Sequence, residues 1–167
     1  MNMPFIRTFD GFLSNTQIEQ MQRFVKKCKY IYGVTDNKDT PPTGLLSYDE
    51  LPEFFMDIIR NKIILPFGFE QHEVRQSMVN MFLPREEPFF HRDIPNGITI
   101  VYYCNTDYKL EEHGETQFIV VDEFKNEYIK GVLPLPGRFV VFSGDLQHRA
   151  TSFKTEPRFT IALQLEP

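Results

Sequence analysis

The 167-residue sequence predicts an α+β fold that is mainly β: a sandwich or jelly-roll barrel buttressed by N-terminal helices. Two observations carry this. Apolar residues recur at helical spacing only in the first third of the chain. From about residue 74 they fall instead into short apolar or alternating runs, parted by the turn sequences Pro95-Asn96-Gly97, Pro134-Leu135-Pro136-Gly137 and Ser143-Gly144-Asp145. No repeat, low-complexity tract or linker divides the sequence, which reads as one domain over 1–167, helical over about 1–73 and β-barrel over about 74–167.

The first helix follows from Ser14-Asn15-Thr16-Gln17, a capping box, with Ile18, Met21, Phe24, Val25 and Cys28 on one face. Residues 32–47 are polar, carry Pro41-Pro42 and Gly44, and read as a long loop; its stretch Gly33–Ser47 is a candidate lid. A second capping box, Ser47-Tyr48-Asp49-Glu50, predicts the next helix, with Leu51, Phe54, Phe55, Ile58 and Ile59 apolar and Pro52 in its first turn. Strands are predicted at Val74–Leu83, Ile98–Cys104, Thr116–Val121, Glu127–Lys130, Arg138–Phe142, Arg149–Phe153 and Arg158–Leu165.

Composition narrows the class. Hydrophobic residues make up 41% and aromatic residues 14%, enough for one real core, and 17 phenylalanines with no tryptophan make it a Phe-rich one. A net charge of −5 argues against a nucleic-acid partner, which usually demands a basic surface. Two cysteines, Cys28 and Cys104, without a Cys-x-x-Cys pair suit free thiols in a reducing compartment. No apolar stretch approaches a membrane span, and Met1–Arg7 lacks the regions of a secretory signal, so a soluble cytoplasmic protein is expected.

The chemistry centres on His91-Arg92-Asp93. In an extended strand residues i and i+2 share a face, so His91 and Asp93 can aim a nitrogen and a carboxylate oxygen at one point, and folding of the sheet can bring His148 opposite them. Two histidines and a carboxylate on one face of an octahedron leave three positions open, as in non-haem Fe(II) sites; zinc or manganese suits the same donors. In Pro157-Arg158-Phe159-Thr160 the i, i+2 relation recurs, placing a guanidinium and a hydroxyl together for bidentate capture of a carboxylate.

These pieces resemble the Fe(II)/2-oxoglutarate-dependent dioxygenases, specifically the prolyl 4-hydroxylase-like branch. The resemblance runs in order through His91-Arg92-Asp93, Ile100–Asn105, Gly114-Glu115-Thr116-Gln117-Phe118, Pro136–Phe142, Gln147-His148-Arg149 and Pro157–Thr160, over roughly residues 78–165. It implies a double-stranded β-helix, a distorted cupin-like jelly roll, with iron bound by His91, Asp93 and His148. It further implies 2-oxoglutarate gripped at its distal carboxylate by Arg158, with Thr160 and Tyr103 assisting, and O2 as oxidant with ascorbate as reductant. The implied reaction hydroxylates a C–H bond and releases succinate and CO2, on a prolyl residue of a peptide or protein.

The chain also departs from the branch. Phe82 stands where many members carry a tyrosine, while Asn80 matches an asparagine of the DNA-alkylation-repair oxygenases that contacts the co-substrate. His113-Gly114 replaces a Gly-Gly pair, with His113 read as a solvent-facing loop residue, and His72 carries no role. Three alternatives stay open: hydroxylation of a free amino acid or other small molecule, a cupin-like metal-dependent isomerase or hydrolase using another metal, and a barrel used only for binding. Arg158 and Thr160 speak for the keto-acid reading, since an isomerase has no need of them.

Overall fold

The computed structural model describes residues 4–167, so the first three residues of the N-terminal segment read above lie outside it. Two antiparallel sheets form a jelly roll. The larger has six strands in the order β1-β7-β4-β9-β3-β2, comprising β1 (Ile6–Phe9), β2 (Leu45–Ser47), β3 (Glu73–Phe82), β4 (Ile98–Tyr103), β7 (Phe139–Ser143) and β9 (Arg158–Glu166). The smaller has three, in the order β6-β5-β8: β5 (Thr116–Val121), β6 (Glu127–Val132) and β8 (His148–Ala150).

The larger sheet separates an apolar face from a polar one by the two-residue period of its strands. On β9, Phe159, Ile161, Leu163 and Leu165 enter the main core with Ile98, Ile100 and Tyr102 of β4. The alternate residues Arg158, Thr160, Ala162 and Gln164 face a cavity on the other side. The main core is closed by helix α1 (Asn15–Val25), through Met21 and Val25, and by helix α2 (Glu53–Ile59), through Phe55 and Ile59. A smaller cluster of Tyr103, Phe118, Val132, Val140 and Phe142 fills the space between the sheets.

Helix α1 begins as predicted: the Ser14 hydroxyl accepts from the Gln17 amide and the Gln17 side chain accepts from the Ser14 amide, satisfying two otherwise orphaned donors. The predicted box at Ser47–Glu50 does not cap a helix. Ser47 is buried and paired with Val79 as the last residue of β2, and α2 starts at Glu53 behind Pro52, whose side chain makes no cap. Pairing of Leu45–Ser47 with the long strand β3 outweighs the local capping preference. A π-helical turn, Arg60–Ile64, continues α2 and keeps Ile63 in the core.

The N-terminal third is therefore not purely helical. Its strands β1 and β2 form the two edges of the larger sheet, and the predicted loop over 32–47 ends in β2, with Ile31 bridged to Leu46. Both strands are only three or four residues long, too short for alternation to reveal. From β3 onward the predicted strands are present with ends shifted by at most two residues, except that Arg149–Phe153 is replaced by the shorter β8, which starts at His148 itself. No helix among the described residues is long and apolar enough to cross a membrane.

The Phe55 ring packs between Tyr102 at 4.9 Å and Phe139 at 5.8 Å, joining α2 to the middle of the sheet. Phe55→Ala is expected to cost about 3–5 kcal/mol, the usual range for deleting a buried ring. Urea unfolding of wild type and variant measures it; a loss below about 1 kcal/mol would mean that the helices are dispensable to the barrel.

Candidate metal centre

His91 and His148 lie directly opposite one another, and their backbones exchange two hydrogen bonds, each N–H donating to the other's carbonyl at 2.9 Å. Such a pair holds its two side chains on one side of the ribbon, and the ring centroids are 4.5 Å apart. Asp93 is not in a strand. Its amide donates to the Gly144 carbonyl at 3.0 Å, the Gly144 amide donates to the Gly97 carbonyl at 2.8 Å, and this turn packing aims the carboxylate at the two imidazoles. A Cβ on Gly144 would meet the Ile94 carbonyl oxygen at 2.4 Å, so only glycine lets the two turns approach this closely.

Ring orientation is set from behind. His91 Nδ1 lies 3.1 Å from the Phe89 carbonyl and His148 Nδ1 lies 2.9 Å from the Leu146 carbonyl. A carbonyl only accepts, so each Nδ1 carries a proton and each ring turns its Nε2 toward Asp93. His91 Nε2 is 3.7 Å from Asp93 Oδ1, and His148 Nε2 is 3.5 Å from Asp93 Oδ2. Burial pushes the His148 imidazole below its ordinary pKa, outweighing the Asp93 carboxylate that favours the charged ring, so the ring is neutral at neutral pH. All three candidate ligand atoms lie within 4.8 Å of one another, wider than the roughly 3 Å between adjacent donors that sit about 2 Å from one octahedral ion, so binding an ion draws the three side chains together.

Asp93 is held by residues that sequence reasoning missed. Gln164 Nε2 donates to Oδ1 at 2.9 Å and the Thr99 hydroxyl donates to Oδ2 at 2.5 Å. Gln164 continues the alternation Arg158, Thr160, Ala162 along β9, so its face was readable; its target was not.

The three candidate ligands line a cavity of about 370 Å3, whose walls also include Arg158, Thr160, Asn80, Thr116 and Phe82. Arg158 is 1% exposed. Its Nε donates to the Gly114 carbonyl at 2.8 Å and its Nη2 to the Thr116 hydroxyl at 3.2 Å. None of the ion pairs among the described residues includes it. Burial pulls its pKa below the ordinary guanidinium value, against the field of the Glu115 carboxylate, yet a guanidinium keeps its charge, leaving a buried cation without an ion pair. Thr160 and Asn80 sit opposite each other on β9 and β3, with Asn80 Nδ2 3.5 Å from Thr160 Oγ1.

Tyr103 stands behind this wall rather than on it. Its hydroxyl donates to Thr116 Oγ1 at 2.7 Å, and burial raises its pKa. With Tyr103 and Arg158 both donating to Thr116, the Thr116 proton remains free for the cavity. Thr116 carried no role in the sequence reading, although it sits in the Gly114-Glu115-Thr116 motif. His113 is exposed at a φ of 64°, the backbone region that favours the glycine usual there, and it borders a separate outer groove of about 330 Å3. The cysteines are both free, with burial pushing the Cys28 thiol up to about 11.

No family model matches the chain, and no curated protein matches it in sequence. Solved structures do match it in shape. A Pseudomonas putida prolyl-4-hydroxylase aligns over 98% of this chain and 93% of its own at 13% identity, with a TM-score of 0.70. A prolyl hydroxylase from Trichoplax adhaerens, in complex with a hypoxia inducible factor oxygen degradation domain peptide fragment, aligns over 96% and 82% at 15% identity, with a TM-score of 0.71. A 2OG-Fe(II) oxygenase family oxidoreductase from Burkholderia pseudomallei aligns over 96% and 84% at 10% identity, with a TM-score of 0.74. At these identities the likeness is one of fold: the chain has the double-stranded β-helix of these oxygenase structures.

Removing either donor to Asp93, by Thr99→Val or Gln164→Leu, is expected to weaken divalent-metal binding about 10- to 100-fold with little change in melting temperature. Calorimetric titration with Mn(II) checks it; unchanged affinity in both variants would mean that the Asp93 carboxylate needs no orienting partner.

Proposed function

We propose that the protein is an Fe(II)- and 2-oxoglutarate-dependent dioxygenase that hydroxylates a C–H bond of its substrate, in the manner of the prolyl hydroxylases whose fold it shares. The observation that carries this reading is the buried, unpaired Arg158 guanidinium facing the same cavity as His91, Asp93 and His148. A buried cation without a counter-ion costs stability, and a ligand carboxylate relieves that cost. A metal centre and a carboxylate receptor in one cavity of about 370 Å3 suit a short keto diacid that spans them. A cupin-like isomerase or hydrolase has no use for the second feature.

His91, Asp93 and His148 fit iron(II): two neutral imidazole nitrogens and one carboxylate oxygen, with open positions beyond them. Bound there, iron(II) with O2 and 2-oxoglutarate supplies the oxidising chemistry, in which the keto acid becomes succinate and CO2 and one oxygen atom enters the substrate C–H bond. The chain provides placement. Arg158 takes the distal carboxylate bidentately, and the hydroxyls of Thr116 and Thr160 and the amide of Asn80 offer further donors on the same walls. Tyr103 acts through Thr116, fixing its hydroxyl. Met78, Phe82, Val101 and Ala162 supply apolar wall between the polar groups and limit water inside.

The finer reading is a prolyl residue in a peptide, supported by the fold likeness to prolyl hydroxylases, one of them bound to a peptide. Succinate release with prolyl peptides, compared with free amino acids and with ascorbate present throughout, separates this from a small-molecule hydroxylase.

Under anaerobic conditions, Fe(II) followed by 2-oxoglutarate is expected to give a weak visible charge-transfer band in wild type and none in Asp93→Ala, whose circular dichroism stays native. Arg158→Met is expected to raise the 2-oxoglutarate concentration needed by about 100-fold, near 2.7 kcal/mol, with iron affinity little changed. Iron binding without any band would move the site to the other-metal reading, and unchanged 2-oxoglutarate affinity in Arg158→Met would remove that residue's role.

A further inference from the structure

We propose that Asp36 is a positioning residue for the metal centre, holding the His91 imidazole from its far side and coupling the 33–44 loop to metal binding. The inference rests on the metal-centre reading above and concerns a residue which that reading does not use.

The loop lies at the cavity: Val34, Thr35, Asp36 and Thr43 are all part of its wall. It is fastened to the segment that carries the first metal ligand. Asp36 Oδ2 accepts the Phe89 amide at 2.9 Å and the Thr43 hydroxyl at 2.9 Å, so one carboxylate ties both arms of the loop to that segment. Asn37 Nδ2 donates to the Phe90 carbonyl at 2.9 Å. At the loop's end, the Gly44 amide donates to Glu86 Oε1 at 3.2 Å while Glu86 Oε2 accepts the Leu83 amide. The other oxygen of Asp36, Oδ1, lies 3.6 Å from His91 Nδ1, with the Asp36 side chain 16% exposed and the His91 side chain 22%.

These contacts give the carboxylate two effects on one ring. His91 Nδ1 donates to the Phe89 carbonyl, and Asp36 fixes residue 89 through its amide, so the acceptor that orients the ring is itself anchored by the loop. When His91 Nε2 binds a dication, positive charge develops on the Nδ1 side, where the Asp36 carboxylate opposes it. A loop that strengthens metal binding must in turn be ordered by the metal, because coupling between two equilibria is reciprocal. Asp36 thus belongs to the metal centre although it comes from a loop distant from it in sequence.

Asp36→Asn separates the two effects. Its amide oxygen can still accept from Phe89 and Thr43, whereas its NH2 would face the His91 Nδ1–H, donor against donor. The test titrates the 167-residue apoprotein with Mn(II) and follows hydrogen–deuterium exchange of amides 34–43 with and without the metal. Wild type is expected to bind Mn(II) with slowed exchange in the loop, and Asp36→Asn to bind about 10-fold or more weakly with the slowing lost, at an unchanged apoprotein melting temperature. If Asp36→Asn folds poorly, Asn37→Ala replaces it, with a smaller loss of affinity of the same sign. Wild-type Mn(II) affinity in the folded variant would overturn the coupling and leave the metal centre intact. A wild-type protein that binds no Mn(II) would overturn both.

Discussion

The reciprocal hydrogen-bonded pair between His91 and His148 is the contact on which the rest of the site depends. It brings together two residues far apart in the chain, closes the smaller sheet against the segment leading out of β3, and sets two imidazoles side by side. Each ring is then locked by a carbonyl two residues before it, Phe89 for His91 and Leu146 for His148. That local geometry turns both Nε2 atoms toward the Asp93 carboxylate. Asp93 completes the set through turn packing, where Gly97 and Gly144 allow an approach that any side chain would block.

The second constraint is electrostatic. Arg158 is carried into the barrel by a strand whose alternate residues are core, so its position follows from the burial of Phe159, Ile161, Leu163 and Leu165. The structure satisfies two of its donors with Gly114 and Thr116 and gives the charge no ion pair, only the longer-range field of the Glu115 carboxylate. Gly114 is indispensable to this arrangement: its φ is +84°, and a Cβ there would stand 2.1 Å from the Phe153 ring. Stability given up at a buried cation is the usual mark of a site built for an anion rather than for the fold alone. The candidate metal ligands and the cation line one cavity, which is the arrangement the proposed function invokes.

Much of the fold and the outline of the site were legible in the chain. The Ser14–Gln17 box and the apolar spacing behind it yielded α1, and short apolar or alternating runs between turns yielded the strands from β3 onward, with β8 alone misplaced. The i, i+2 relation grouped Arg158 with Thr160, and the ordered motifs grouped His91, Asp93 and His148. These signals are local: they depend on side-chain periodicity and on backbone groups within a few residues of each other. Ser47 shows where locality fails, since its capping preference lost to pairing with Val79 across the sheet.

What only the folded chain decided is which distant groups meet. The ordered family motifs named His91, Asp93 and His148 as candidate ligands, yet the opposition of His91 and His148, rather than the extension of a strand through Asp93, arises from sheet closure. Tyr103 was read as touching the co-substrate, and packing places Thr116 in front of it. Gln164, Thr99 and Asp36 carry no motif at all; they reach the candidate metal ligands because β9, β4 and the 33–44 loop converge on one cavity. Sequence encodes the donors and their faces through short-range periodicity, whereas the partners of a buried charge are chosen by long-range pairing, where contacts between distant strands override what any short segment prefers.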